Sequence, residues 1–112
     1  MTKLEVIIRP ERLEELQHAL EDMGHTGMTV TEVRGAGRQA GYVERYRGME
    51  YRVRLLPKVK VELVLTDEKV EDVITTVREK CQTGEVGDGK IFLYKLDDAI
   101  RIRTGDRGDA AI

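Results

Sequence analysis

Hydrophobic and polar residues alternate along four stretches of the chain, a pattern typical of β-strands with one buried face. The first stretch covers residues 3–8 and stops at Arg9-Pro10, because proline cannot donate to a sheet ladder. The second, residues 28–33, is rich in β-branched side chains. The third covers residues 55–65, and the fourth, residues 90–96, reads KIFLYKL. The pattern predicts four strands.

Two stretches between these strands repeat their apolar residues at the spacing of an α-helix. The first begins near Glu11 and meets a stop signal at Gly24. The second follows Thr66 or Asp67, either of which can cap its N-terminus, and ends near Cys81. The predicted order is strand, helix, strand, followed by strand, helix, strand.

The two halves of this order form an internal repeat. When the chain is aligned with itself so that Leu4 falls on Val61, the apolar positions of the first strand and helix coincide with those of the second unit. The turn Thr26-Gly27 then falls on Thr83-Gly84. Two βαβ units are expected. The predicted fold class is α+β, a ferredoxin-like double βαβ sandwich in a single domain over residues 1–112.

The second face of the predicted sheet carries apolar residues that two helices cannot cover. Ile7, Val33, Val64 and Phe92 occupy the parity opposite their core-facing neighbours. Both helices are expected on the other face. Self-association is therefore expected, as a homo-oligomer formed through the second face.

The stretch between the second and third strands, residues 34–54, differs from the rest of the chain. It holds six Arg against two Glu, whereas the whole chain has a net charge of -2. It also contains four of the eleven Gly and three of the four Tyr. Neither a strand nor a helix is indicated here. A long irregular loop in a small domain is usually functional, so this loop is expected to contact a partner.

Composition excludes several classes of function. Acidic and basic groups are mixed, and the isoelectric point is near 5.7, so no global positive field favours nucleic-acid binding. The middle strands also lack the stacked aromatic pair of an RNA-binding sheet. One cysteine and two histidines cannot form an intrachain disulfide or a Cys/His zinc site. No apolar run approaches the ~20 residues of a membrane span, and no signal-peptide pattern precedes the first strand, so a cytoplasmic location is expected.

The connector before the last strand carries an unspecific signal for phosphate binding. Residues 83–90 read TGEVGDGK, and closely spaced glycines let backbone N–H groups approach an anion. The spacing is not that of a phosphate-binding P-loop, and an ordinary turn before a strand explains it as well. Arg101 and Arg103 share one strand parity and would project to the same side, as a phosphate site or as a solvated edge strand. Without a credible catalytic base, binding is favoured over a nucleotide-hydrolysing enzyme.

Two separated motifs give these features a family resemblance. Residues 46–51 read YRGMEY, and residues 83–92 read TGEVGDGKIF. Both resemble the signature stretches of the PII nitrogen-regulatory signalling proteins. TVTEVRGAGRQ, LPKVKVEL and RIRTGDRG extend the match over nearly the whole chain. The resemblance implies a non-enzymatic signalling protein with an effector and partner loop at about 36–54, a phosphate-binding loop at about 82–90 and a C-terminal loop at about 102–109.

The resemblance further implies a homotrimer with ATP or ADP bound in the clefts between subunits. The residues that match the family's phosphate contacts are Arg38, Gly87, Gly89, Lys90, Arg101 and Arg103, with Gly37 and Asp88 beside them. Those that match the adenosine contacts are Ile7, Thr29, Glu62 and Val64. In the family, ATP with Mg²⁺ creates a 2-oxoglutarate site at the loop base. By that resemblance Gln39 would coordinate the metal, Lys58 would pair with a carboxylate, and Gly37, Ala40 and Gly41 would supply backbone donors.

The implied function is control of partner proteins, such as an ammonium transporter or nitrogen-assimilation enzymes, through Arg47, Glu50 and Tyr51 of the loop. Tyr51 matches a tyrosine that some relatives modify. An alternative is a nucleotide sensor that ignores 2-oxoglutarate and regulates another transporter or enzyme. Glu85 departs from the family's common Lys, whose pairing with the residue matching Glu50 would here be a like-charge contact. We expect that bent-loop pairing to be lost, or Arg52 or Arg54 to replace the missing cation.

Overall fold

Strands and helices alternate along the chain in the predicted order. The computed structural model describes residues 1–38 and 41–112, except for the side chains of Tyr42, Glu44, Tyr51 and Val53. The strands are β1 (Thr2–Ile8), β2 (Thr29–Gly35), β3 (Tyr42–Tyr46), β4 (Met49–Val53), β5 (Leu56–Leu65) and β6 (Gly89–Lys95). The helices are α1 (Leu13–Asp22) and α2 (Val70–Cys81), with short 3-10 turns at Pro10–Arg12, Asp67–Lys69 and Gly108–Ala111. Neither α1 nor α2, within the described chain, is long and apolar enough to cross a membrane.

The internal repeat is confirmed in the local structure of both units. Each of β1 and β5 leads into a single 3-10 turn and then into its helix, and the turn at Pro10–Arg12 corresponds to that at Asp67–Lys69. The predicted stop of α1 at Gly24 is also confirmed. Gly24 has a φ of 88°, and the His25 N–H donates to the Leu20 carbonyl at 2.8 Å, which is a Schellman closure.

The predicted cap of the second helix differs from the structure. The Thr66 side chain makes no capping hydrogen bond. The Asp67 carboxylate turns instead toward the start of β1, where the Met1 amino group donates to it at 2.8 Å and the Thr2 hydroxyl at 2.7 Å. The Asp67 side chain therefore binds the start of β1 and does not cap the helix.

The main sheet has the order β2-β5-β1-β6, and all of its neighbours are antiparallel. This order and the two βαβ units confirm the ferredoxin-like α+β prediction. One face packs against both helices, and every second residue of β1 and β5 is therefore buried there. The core is almost wholly aliphatic and consists of Leu4, Val6, Ile8, Leu16, Leu20, Val59, Val61, Leu63, Leu65, Val70, Val73, Val77 and Cys81.

The other face of the sheet is more polar at its centre than predicted. Ile7, Val33 and Val64 are half-buried there, and Phe92 is exposed. Between them the Lys60 ammonium lies 3.3 Å from Glu62 and 3.7 Å from Glu5. Since neither helix covers this face, it remains the surface that self-association would bury.

The prediction of an irregular loop at residues 34–54 is wrong for most of that stretch. β3 and β4 pair as an antiparallel hairpin that stands apart from the main sheet. Arg47 and Gly48 form its two-residue turn with φ values of 52° and 77°. Positive φ at both positions matches the type I′ turn, whose twist suits a hairpin. The turn signal was missed because Asn-Gly or Asp-Gly is the usual pair, and arginine rarely adopts a positive φ.

The prediction that Arg101 and Arg103 share a strand is also wrong. The chain after β6 makes one isolated bridge, between Ile100 and Arg107. A turn follows, closed by hydrogen bonds from Arg101 N–H to the Asp106 carbonyl at 2.9 Å and from Gly105 N–H to the Arg101 carbonyl at 2.7 Å. Alternation of side chains did not produce a strand here, because the segment folds back on itself through the Ile100–Arg107 bridge and does not join the main sheet.

A pair of leucines tests where the core lies. Leu4 and Leu93 are opposite each other in the register of β1 and β6, yet Leu4 is fully buried and Leu93 is 51% exposed. We expect Leu4→Ala to lower the free energy of unfolding by about 2–5 kcal/mol, since it leaves a cavity. Leu93→Ala should cost less than about 1 kcal/mol. Urea unfolding at one fixed protein concentration measures both, and equal losses would contradict this description of the core.

Candidate functional site

The connector between α2 and β6 is folded around the carboxylate of Asp88. The Thr83 N–H donates to it at 2.8 Å, the Gly84 N–H at 3.0 Å, and the Thr83 hydroxyl also donates to it. These hydrogen bonds, led by that of the Thr83 hydroxyl, hold the pKa of Asp88 well below its usual range. The side chain of Asp88 is thus an internal organiser, and the connector can offer a ligand its backbone.

Two cations tie the connector to the sheet. The Arg9 guanidinium, at the end of β1, donates to Asp88 at 3.2 Å and to the Val86 carbonyl at 2.9 Å. The Lys58 ammonium, on β5, donates to the Gly87 carbonyl at 2.7 Å. Burial, and then the charge of Arg9, lower the pKa of Lys58. Arg9 and Lys58 therefore bind three consecutive residues of the connector, 86–88.

Glycine is required where the connector meets β1. Gly89 has a φ of 108°, and a Cβ built on it would lie 1.7 Å from the carbonyl oxygen of Ile7. Gly87 has a similar φ of 106°. A side chain at position 89 would push β6 away from β1 at the first pair of their ladder, where Gly89 faces Ile8.

A cavity of about 640 Å³ lies beside the connector and collects most of the residues predicted to bind phosphate. We call it the connector cavity. Its cationic side chains are Arg38, Lys58 and Lys90, and Gly37, Gly87 and Gly89 contribute backbone. The remaining wall is Ile7, Gly35, Ala36, Val86 and Phe92. Cations beside glycine backbone are suited to an anion such as a phosphate group.

The residues predicted to contact adenosine lie mostly elsewhere. Thr29, Glu62 and Val64 line a second cavity of about 670 Å³, the edge cavity, which also includes residues 24–28 and Ile112. Ile7 lies instead in the connector cavity. Lys58 and Val64, one in each cavity, are six residues apart on β5, which corresponds to roughly 20 Å. One chain therefore holds the two predicted sets at opposite ends of a strand.

Arg101 and Arg103 line neither cavity. Arg101 pairs with Asp106 at 3.4 Å, and Arg103 is exposed. Of the residues predicted to bind 2-oxoglutarate, Gly37 and Lys58 line the connector cavity. Gly41 immediately precedes β3, and Gln39 and Ala40 lie outside the described residues.

The predicted partner contacts lie on the hairpin. Arg47 forms its turn and lies over the ring of Tyr46 at 5.3 Å. Glu50 faces Arg45 across the ladder, and their side chains pair at 2.9 Å. In this chain the cation beside Glu50 is therefore Arg45, a residue that sequence reasoning did not select. Tyr51 lies on β4 opposite Glu44.

Sequence reasoning also missed Arg9 and Thr83, which organise the connector. The missing information was the strand register. Because Ile8 faces Gly89, continuing the antiparallel ladder by one residue brings Arg9 opposite Asp88, and opposite charges at such positions attract. Cys81 is buried in the core, and burial raises the pKa of its thiol to about 11, which makes it a poor nucleophile.

Taken together, a ferredoxin-like domain, a glycine-rich connector beside a cationic cavity and a separate hairpin suit a ligand-binding protein. Comparison with known proteins agrees. The family model "Nitrogen regulatory protein P-II" matches residues 1–106. Over all 112 residues the chain is 55% identical to "Nitrogen regulatory protein P-II" of Pasteurella multocida, with both chains fully covered.

Other relatives extend this similarity to distant organisms. "Nitrogen regulatory protein P-II 2" of Methanothermobacter thermautotrophicus is 54% identical over 100% of this chain and 97% of its own. "Nitrogen regulatory protein P-II 1" of Escherichia coli K12 is 52% identical over the full length of both chains. The chain belongs to the P-II family of nitrogen regulatory proteins. P-II proteins are non-enzymatic signal transducers. This confirms the prediction of a binding protein and not an enzyme.

Substitution of two connector glycines distinguishes the cost of a positive φ from the cost of steric overlap. Gly84 and Gly89 both have positive φ, but a Cβ on Gly84 would meet open space. Gly84→Ala should cost about 1–2 kcal/mol, the ordinary price of a left-handed alanine. Gly89→Ala should cost clearly more, because the new methyl group overlaps Ile7. Urea unfolding of both variants measures the difference, and equal costs would show that β6 can shift freely.

Proposed function

We propose that this P-II protein binds ATP or ADP and 2-oxoglutarate and passes their state to a partner protein through its hairpin. The observation that carries the proposal is the connector cavity, where three cationic side chains and four glycines surround one space. Polyanionic ligands are favoured there, because guanidinium, ammonium and amide groups all donate to phosphate oxygens.

The nucleotide site lies between subunits of a homotrimer. The phosphate residues Gly87, Gly89 and Lys90 of one copy would act with Thr29, Glu62 and Val64 of a neighbour. This division is supported by the position of the two sets in different cavities of one chain. The sheet face opposite the helices is the surface available for assembly, since it has no cover within the described chain.

Arg101 and Arg103 reach the phosphates only in such an assembly, because they line neither cavity of their own chain. Arg38 lies with the connector glycines and is the last cationic residue before the hairpin in the sequence. The part of the nucleotide site that depends on one chain is thus the connector with Arg38, and the rest depends on a second copy.

2-Oxoglutarate binds at the base of the hairpin when ATP and Mg²⁺ are present. Lys58 pairs with one carboxylate, Gln39 coordinates the metal, and the backbone of Gly37, Ala40 and Gly41 donates to the keto acid. The position of Lys58 in the connector cavity supports this, since its ammonium lies beside the connector. A chelating keto acid needs a cation, backbone donors and a metal with oxygen ligands. ADP lacks the third phosphate and supports the metal site poorly.

The hairpin binds a partner protein according to which effectors are bound. The partner is an ammonium transporter or a nitrogen-assimilation enzyme, for example. Arg47 is presented at the turn, and Glu50 and Tyr51 lie on β4. Effectors at the hairpin base select among its conformations and so set which partner binds. Tyr51 is the candidate position for covalent modification.

Calorimetry tests the effector assignment directly. We expect 2-oxoglutarate to bind the protein with Mg-ATP and to bind at least about tenfold more weakly with ADP, because the metal site then lacks a phosphate oxygen. Gln39→Ala should abolish the keto-acid heat while leaving the assembly mass, measured by light scattering, at that of a trimer. Lys80→Met, an exposed charge removal on α2, serves as the matched control and should bind as the parent protein does.

Two results would change the proposal. Heat from Mg-ATP without any heat from 2-oxoglutarate would favour the alternative, a nucleotide sensor for a different transporter or enzyme. That alternative has one observation in its favour, because the Lys58 ammonium already donates to Gly87. No heat from either nucleotide, or a monomer in light scattering, would exclude the shared site.

A further inference from the structure

The side chain of Arg9 has no assigned ligand, yet it joins the two flanks of Gly87. Its Nε donates to the Asp88 carboxylate at 3.2 Å, and its Nη2 donates to the Val86 carbonyl at 2.9 Å. The side chain is only 15% exposed, and that of Asp88 is 24% exposed. Ion pairs sheltered to this degree are screened less by solvent and salt than surface pairs.

The backbone explains why Arg9 points toward the connector. A residue before proline is driven into the extended region, and Arg9 has a φ of -65° and a ψ of 139°. It therefore continues the direction of β1 by one residue, past the last ladder pair of Ile8 with Gly89. Asp88 then faces it across the ladder, while the chain beyond Pro10 turns away into α1.

The contact with Val86 orients the next amide. In a trans peptide the carbonyl of one residue and the N–H of the next point in opposite directions. Arg9 draws the Val86 carbonyl toward itself, so the Gly87 N–H points away from Arg9. Gly87 lines the connector cavity together with Lys90. Arg9 thus acts on the direction of a donor in that cavity while its own guanidinium is engaged with protein groups.

We infer that Arg9 is a positioning residue for nucleotide binding, which presets the connector by holding Val86 and Asp88 on either side of Gly87. The inference rests on the proposed function, because it assumes that the connector receives phosphate. Arginine suits the task since its rigid fork reaches two acceptors at once, whereas lysine is a single-point cation. Asp88 belongs to the same unit, because it links Arg9 to the Thr83 and Gly84 amides.

A double-mutant cycle tests the inference through ATP affinity, measured by calorimetry without 2-oxoglutarate. Arg9→Met should weaken ATP binding by about tenfold, the scale of losing charge-assisted hydrogen bonds. Asp88→Asn should weaken it by a similar factor. Because both changes release the same connector, the double variant should bind about as weakly as either single one. Arg9→Lys should recover part of the loss, since it keeps the charge beside Asp88 but reaches one acceptor.

The matched control is again Lys80→Met, which removes one positive charge and should leave ATP affinity unchanged. Unchanged ATP affinity in Arg9→Met would overturn the inference. A double variant whose loss of affinity equals the product of the two single losses would also overturn it, because Arg9 would then contact phosphate directly. If Arg9→Met does not fold by circular dichroism, full affinity in both Arg9→Lys and Asp88→Asn overturns it equally. Failure of the parent protein to bind ATP would instead refute the proposed function.

Discussion

The junction between Gly89 and the end of β1 is the contact on which the rest of the site depends. No side chain fits between position 89 and the Ile7 carbonyl, so the two strands approach as closely as their backbones allow. That approach brings Arg9 opposite Asp88 and places the connector within reach of Lys58. A packing constraint inside the sheet thus sets the shape of the connector, where we propose that phosphate binds.

The same sheet also explains how the site and the hairpin are related. β2 leads into the hairpin through residues that line the connector cavity, and β5 returns from it carrying Lys58. The hairpin forms a two-stranded sheet of its own, and the ion pair of Arg45 with Glu50 lies within it. Such exposed pairs contribute little to stability. A connector held by Arg9 and Lys58, next to a hairpin in a separate sheet, suits the ligand-controlled partner contact that we propose.

Sequence patterns predicted the elements that bury one face in the core. They did not predict structure that depends on contacts between distant parts of the chain. The strands and helices of the main domain followed from periodicity, because one face of each is buried in an aliphatic core. The hairpin was missed because adjacent charged residues, Glu44 and Arg45, interrupt the alternation of β3, and because its turn uses Arg47 in a left-handed conformation. The sequence of β4, MEYRV, does alternate, and that signal was overlooked. Arg101 was misplaced because its segment turns back on itself through the Ile100–Arg107 bridge, which alternation of side chains does not reveal. The pairing of Arg9 with Asp88 required the register, which no local pattern contains.

Hydrogen exchange of the ligand-free protein measures most directly whether the connector is formed before nucleotide arrives. The amides of Thr83 and Gly84 donate to the Asp88 carboxylate, so they should exchange well below the rate of an unstructured peptide without any ligand. Asp88→Asn should raise their exchange rates. Free-peptide rates at both amides until ATP is added would contradict the account, because the ligand and not the fold would then build the site.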